Sequence, residues 1–203
     1  MSQKYVLHYF NGRGRGELIR LMFVISKTKY EDHRVEFKDW PAFKSKTPNG
    51  TLPCLEIDDK LYGQSLALVR FLAKEFSLYG TDNVSQMVVD ECMYNVTDLR
   101  KVLIDAVFEQ DEAKKAEQLK KIKEDALPQF MKRTEEIFKS YGSGGFLVGS
   151  KCTAADLALF DIVDGLDSKM KDGLTKKIKE HMAMIGAIKE IKQWLEERPK
   201  TEF

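Results

Sequence analysis

Cysteine is scarce in this 203-residue chain. There are three, Cys54, Cys92 and Cys152. The number is odd, and none forms a Cys-x-x-Cys pair or a Cys/His ligand spacing. Both a disulfide framework and a structural zinc site are therefore disfavoured. Cys54 and Cys92 sit in apolar surroundings, the usual setting for a small buried hydrophobe. No apolar run approaches the roughly 18 residues that a membrane span needs. The first ten residues, MSQKYVLHYF, carry no long apolar stretch and no cleavage site, so no secretory signal is expected. Reducing cytoplasm is then the simplest compartment. The triplets Asn49-Gly50-Thr51 and Asn95-Val96-Thr97 have the form of glycosylation acceptors but carry little weight without such a signal. Net charge is nearly absent too: 33 basic and 32 acidic side chains leave +1. That balance gives no reason to expect nucleic acid or an anionic membrane as partner. The densest basic stretch, Lys114 to Lys123, is interleaved with Glu117 and followed by Glu124 and Asp125, which reads as a solvated helix face.

What is present is ordinary globular composition, 43% hydrophobic and 32% charged, in a length that suits one large domain or two small ones. The first third reads differently from the rest. Residues 5 to 10 (YVLHYF) suit a short buried strand that Asn11-Gly12 ends. In Glu17 to Ser26, Leu18, Leu21, Met22 and Ile25 fall at helical spacing. A second strand is expected over Tyr30 to Glu36, then a polar, Pro-bounded loop around Trp40-Pro41 and Thr47-Pro48-Asn49-Gly50. Cys54-Leu55-Glu56-Ile57, Asp58-Asp59 and Lys60-Leu61-Tyr62-Gly63 make a tight hairpin signal. Ser65 to Phe76 returns to helical spacing, with Ser65 an N-cap candidate. A βαβ unit followed by ββα is a small α/β layer domain. After Tyr79 to Asn83 no convincing strand is found. Val84 to Phe108, Glu112 to Tyr141, Thr153 to Leu166, Thr175 to Ile185 and Ala187 to Glu197 all favour helix. Pro128 should kink or interrupt the second of these, and Gly142 to Gly145 should stop it. The expected division is residues 1–79 and an all-helical domain over 84–203.

Four features bear on chemistry. Thr153 and Asp156 have capping-box spacing, a structural device at the start of a buried helix. Thr51-Leu52-Pro53-Cys54 opens a strand, and Pro53 suits a strand start because it has no N–H to give a ladder. With a cis bond there, the Leu52 backbone can face outward and pair with an extended peptide. The Gln64-Ser65 helix start suits an anion, or Ser65 merely caps its own helix. Tyr9 reads either as a core tyrosine or as a functional one, and Arg13, Arg15, Trp40 and Lys44 either as surface residues or as ligand contacts.

In order along the chain, YFNGRGRGELIR, the TLP segment, GQSLALVRFLAKEF and the TAAD box resemble the cytosolic glutathione transferases. The tyrosine with DW-x-x-x-K in the loop is similar to the sigma class, which includes haematopoietic prostaglandin D synthase. The resemblance covers nearly the whole chain. It implies a thioredoxin-like α/β domain with a mixed four-stranded sheet, then an all-α domain that contributes the second-substrate site and dimer contacts. It implies a detoxification enzyme that uses glutathione as co-substrate, needs no metal and acts as a homodimer on hydrophobic electrophiles. Tyr9 matches the catalytic tyrosine and Arg15 the arginine that supports the thiolate. Trp40, Lys44, Leu52, Gln64 and Ser65 match glutathione-binding positions, and Gly50 and Thr51 lie in the same loop. Asp98 matches an acidic residue that reaches the other subunit's ligand. Gly16 departs from the common Ala, a change expected to weaken the helix start slightly and leave the chemistry untouched.

Glutathione has two carboxylates, one amine and one thiol. Lys44 and the helix start at Gln64-Ser65 complement the carboxylates, a partner's Asp98 the amine, and Leu52 the central cysteine's backbone. Three rivals stand beside this reading. A carrier of haem or apolar ligands on the same fold would leave Tyr9 idle. A thiol–disulfide oxidoreductase needs a cysteine at the first helix start, and residues 9 to 17 hold none. A prostaglandin isomerase depends on the second pocket, expected between Val102 and Phe108 and near the C-terminus.

Overall fold

Tyr5–Phe10 forms β1, the strand on which the first part of the chain is built. The computed structural model describes residues 3–201. β2 (Glu31–Val35) pairs parallel to β1, β3 (Cys54–Ile57) antiparallel to it, and β4 (Lys60–Tyr62) antiparallel to β3, so the order is β2-β1-β3-β4. The mixed four-stranded sheet is as expected. The Asp58-Asp59 turn has φ of 46° and 67°, the left-handed pair that matches hairpin twist. α1 (Glu17–Ser26) and α3 (Ser65–Glu75) pack against each other.

α1 is buried along Glu17 to Phe23 without a break, charged residues included. The reason is α10 (Lys189–Glu197), which packs on it. Trp194 Nε1 and Arg198 Nη1 donate to Glu17 Oε1 at 2.8 and 2.9 Å, and Lys27 pairs with Glu190 at 2.7 Å. The first compact unit therefore comprises residues up to Leu78 together with Ala187 onward, and the second is Tyr79–Gly186. The expected division kept 84–203 as one domain by chain order, and α10 at its far end packs on α1. Helical periodicity identifies α10 but does not say on which surface its apolar face is buried.

Two local differences in the first unit have clear causes. The expected loop at Trp40-Pro41 is a short helix, α2 (Trp40–Lys44), because Pro41 falls in the first turn, where a missing N–H costs nothing. Ser65 is not the cap of α3. Gln64 holds that position, and no side chain caps the helix.

The second unit is helical. α4 spans Asn83–Phe108 and starts with an Asp82/Ser85 capping box. α5 (Glu112–Lys121) and α6 (Leu127–Tyr141) are separated by a π-helical turn at Ile122–Ala126. Pro128 is the cause, since its ring and missing N–H break the regular ladder one turn earlier. On α5, Lys121 and Glu117 pair at 2.7 Å on an exposed face, as the charge pattern implies. α7 (Ala154–Asp164) is the core of the unit, with Ala154 to Val163 all buried. Its capping box forms. The Asp156 carboxylate accepts from Thr153 N–H at 2.7 Å, from the Thr153 hydroxyl at 2.8 Å and from Leu147 N–H at 2.8 Å. α8 (Ser168–Asp172) and α9 (Lys176–Gly186) complete it. No described helix is long and apolar enough to cross a membrane.

Candidate active site

Strand register gathers the candidate residues at one end of the sheet. His8 is paired with Cys54, and Leu55 with Tyr62. One residue beyond those pairs lie Tyr9 on β1, Pro53 before β3 and Gly63-Gln64 after β4. Segments far apart in sequence thus meet at one sheet edge.

Tyr9 is half-buried, and its hydroxyl oxygen accepts the Arg15 backbone N–H at 2.9 Å. An oxygen so engaged has its own proton left to donate outward. The Arg15 side chain is exposed, so the amide, not the guanidinium, is what holds Tyr9. The buried cation near the ring is Arg20, with its guanidinium 5.8 Å from the Tyr9 centroid. Arg20 is fully buried and anchored by Gly12 O at 2.6 Å, Asp32 at 3.0 Å and Glu17 at 3.2 Å. Sequence reasoning left Arg20 as one more helix residue. The only signal was a charge inside the apolar run ELIRLMFVIS.

Gly14 and Gly16 make room for the ring. A Cβ on Gly14, where φ is +38°, would collide with the Tyr9 hydroxyl. One on Gly16 would lie 2.5 Å from Tyr9 Cδ1 and 2.8 Å from Cγ. Gly16 therefore lies directly against the Tyr9 ring.

A rim of contacts runs on from Tyr9. Its ring meets Phe10 edge-on at 5.8 Å, and Phe10 meets Trp40 at 5.4 Å. Lys44, at the other end of α2, lies over Gly50, where φ is 62°. Asn49 lies against Gly63, next to Gln64. The Leu52–Pro53 peptide is cis, and β3 starts only at Cys54. Among the described residues the Leu52 amide and carbonyl have no hydrogen-bond partner. Gln64 has φ 69° and ψ 98°, a conformation that costs a non-glycine residue roughly 1–3 kcal/mol and persists where surroundings impose it. With no side-chain cap, the first amides of α3 keep their affinity for an anion. Thr51 is exposed in this loop.

α2 rests on the sheet through Phe43, whose ring is 5.2 Å from His8 and 5.8 Å from His33. His8 Nδ1 lies 2.7 Å from His33 Nδ1, and His8 Nε2 lies 3.1 Å from Glu56. Burial holds the His8 imidazole below its ordinary pKa, which outweighs the opposing pull of Glu56.

The remaining candidate, Asp98, belongs to the second unit. It is exposed on α4 and lines a groove of about 320 Å³ with Leu99, Val102, Phe130 and Arg133. The cysteines offer no competing nucleophile. Burial pushes the Cys54 thiol up to about 11 and Cys92 up to about 12, and raises Cys152 as well. Among the described residues no group of three or more His, Cys, Asp or Glu is placed to hold a metal ion.

Residues 5–74 match the family model of the glutathione S-transferase N-terminal domain, and residues 97–198 that of its C-terminal domain. The chain is 34% identical to glutathione S-transferase 1 of Ascaris suum, over 98% of this chain and 99% of that one. It is 34% identical to the hematopoietic prostaglandin D synthase of Gallus gallus, over 97% and 98%. A crystal structure of a monomeric glutathione S-transferase from Necator americanus superimposes with a TM-score of 0.87 at 33% identity, over 98% of this chain and all of that one.

Proposed function

The chain belongs to the glutathione S-transferase family and is a glutathione transferase that joins the glutathione sulfur to hydrophobic electrophiles. On that premise we propose that Tyr9 is the residue that stabilises the thiolate. The observation that carries this is the Tyr9 hydroxyl, fixed by the Arg15 amide at 2.9 Å at the sheet end where the peptide-binding elements converge. A cysteine thiol has a pKa of about 8.5, and only its thiolate is a strong nucleophile. Lowering that value by about two units takes roughly 2.7 kcal/mol of preferential thiolate stabilisation. A charge-assisted O–H to sulfur hydrogen bond, with the buried Arg20 nearby, is of that order. The thiolate then attacks the electrophile, a C–S bond forms, and the leaving group departs with its electron pair.

Around this centre, Leu52 pairs with the backbone of the central cysteine as an added strand would. Lys44 and the Gln64-Ser65 helix start take the carboxylates, and Trp40, Gly50 and Thr51 enclose the ligand. The glutathione-binding domain is residues 1–79, with α10 packed onto it. The helical part supplies the second-substrate site and the contacts of a homodimer, in which Asp98 reaches the amine of glutathione on the partner subunit. A sigma-class, cytoplasmic, detoxifying enzyme completes the reading, supported by the Asp39-Trp40 and Lys44 pattern and the scarcity of cysteine.

The test is turnover with a chloronitroarene for wild type and Tyr9→Phe. The variant should lose about a hundredfold in kcat while keeping glutathione affinity, as when a single oxyanion donor is removed. Wild-type turnover in the variant would refute the tyrosine assignment. The similarity to a prostaglandin D synthase favours one second reading, a prostaglandin isomerase, and prostaglandin H2 is the substrate that checks it.

A further inference from the structure

Glu17 opens α1 and is buried, yet both of its carboxylate oxygens are engaged. Oε2 accepts from Arg20 Nη1 at 3.2 Å. Oε1 accepts from Trp194 Nε1 at 2.8 Å and from Arg198 Nη1 at 2.9 Å. Arg20 Nη1 is shared in turn, and its other acceptor, the Gly12 carbonyl, is nearer at 2.6 Å. Arg20 Nε donates to both Asp32 oxygens at 3.0 and 3.2 Å, and Arg34 pairs with Asp32 at 2.9 Å. Gly12 begins the turn in which Gly14 and Gly16 lie against the Tyr9 ring and Arg15 gives its amide to the Tyr9 hydroxyl. A chain of polar contacts therefore runs from the last helix to that turn, all within the first unit.

How Arg20 divides itself between Gly12 and Glu17 is a matter of charge. Arg20 with Glu17 and Asp32 leaves one net negative charge, and Arg34 and Arg198 turn it into one net positive. A buried carboxylate that loses part of its compensation draws harder on the cation that remains. Without Trp194 and Arg198 that cation is Arg20, and the neutral Gly12 carbonyl is the weaker competitor for it. We infer that Trp194 and Arg198 are positioning residues for the reaction. By holding Glu17 they leave Arg20 on the Gly12 carbonyl, and so fix the turn that aims the Tyr9 hydroxyl at the glutathione sulfur. The inference rests on the proposal that Tyr9 stabilises the thiolate. It makes that stabilisation depend on the last helix of the chain, which acts through Glu17 and Arg20 and not on the substrate.

The measurement is the pH profile of kcat/KM for a chloronitroarene at saturating glutathione, with glutathione affinity by calorimetry. It is made on wild type, Arg198→Gln, Trp194→Phe, Tyr9→Phe and each of the first two combined with Tyr9→Phe. Arg198→Gln should raise the pKa of the bound thiol. Below that pKa, kcat/KM should then fall about fivefold, and it should converge on wild type at high pH, where the thiolate forms regardless. Trp194→Phe keeps an aromatic ring and should move the profile the same way, by about threefold, while glutathione affinity changes by about twofold at most in either variant. Because the effect passes through Tyr9, neither substitution should add more than about twofold in the Tyr9→Phe background. A loss equal at every pH would make α10 a structural brace alone and refute the inference. So would unchanged profiles, or effects that multiply in the double variants. Should Arg198→Gln fail to fold, Trp194→Phe decides by the same criteria. A Tyr9→Phe profile identical to that of wild type would instead overturn the reading of Tyr9 itself.

Discussion

Tyr9 owes its position to what its neighbours lack. The backbone of Gly16 is right-handed, with φ −81°, so any residue fits its conformation. Only the space is exclusive, because the Tyr9 ring occupies the volume of a Cβ. Gly16→Ala must therefore displace the ring or shift the start of α1. The expected result is a fall in kcat of about tenfold, equivalent to roughly 1.4 kcal/mol at the transition state. A higher thiolate pKa in an ultraviolet titration of bound glutathione should accompany it. Wild-type kcat and an unchanged titration would show that the ring moves without consequence. Arg20 illustrates the same point for charge. Its guanidinium is tolerable in the interior only because Asp32, Glu17 and the Gly12 carbonyl saturate it. Glu17 is one helical turn away on α1, whereas Gly12 and Asp32 lie on other segments and converge on Arg20 only on folding.

At the scale of elements, the start of α7 is the most demanding point in the helical unit. Asp156 is fully buried and serves three donors, so its loss does more than remove a cap. Burial raises its carboxyl pKa above the ordinary value, outweighing the opposing pull of those donors and of His181, 3.7 Å away. Asp156→Ala leaves the Leu147 and Thr153 amides unsatisfied in the interior. The expected cost is about 3 kcal/mol, or a Tm lower by on the order of 10 °C, with residual turnover at low temperature. An unchanged Tm in a calorimetric scan would remove this role. α3 makes the contrasting case, an N-terminus left without a side-chain cap and preceded by a left-handed Gln64. A helix that forgoes its cap at that sheet end is better suited to a ligand than to its own stability.

At the scale of the whole molecule, α4 exposes Val84, Met87 and Tyr94, which with Asp98 follow helical spacing along one face. A face of this kind supports self-association, although one structural relative is monomeric. Asp98→Ala should raise the KM for glutathione about fivefold, the loss of one charge-assisted hydrogen bond. Sedimentation equilibrium should give the same dimer mass for the variant and wild type. An unaltered KM would make Asp98 an ordinary helix residue, and a monomeric wild type would exclude the cross-subunit contact. The sequence by itself determined the order of the strands and longer helices, the Asp58-Asp59 hairpin, the break at Pro128, the α7 box and a set of candidate ligand contacts. These are local: turn chemistry, proline geometry and periodicity act within a few residues. Only the tertiary structure decided that α10 packs on α1, that Arg20 is the buried cation near Tyr9 and that Gly16 lies directly against the Tyr9 ring. Those depend on which surfaces meet, and contacts between segments far apart in the chain leave no periodic trace in it.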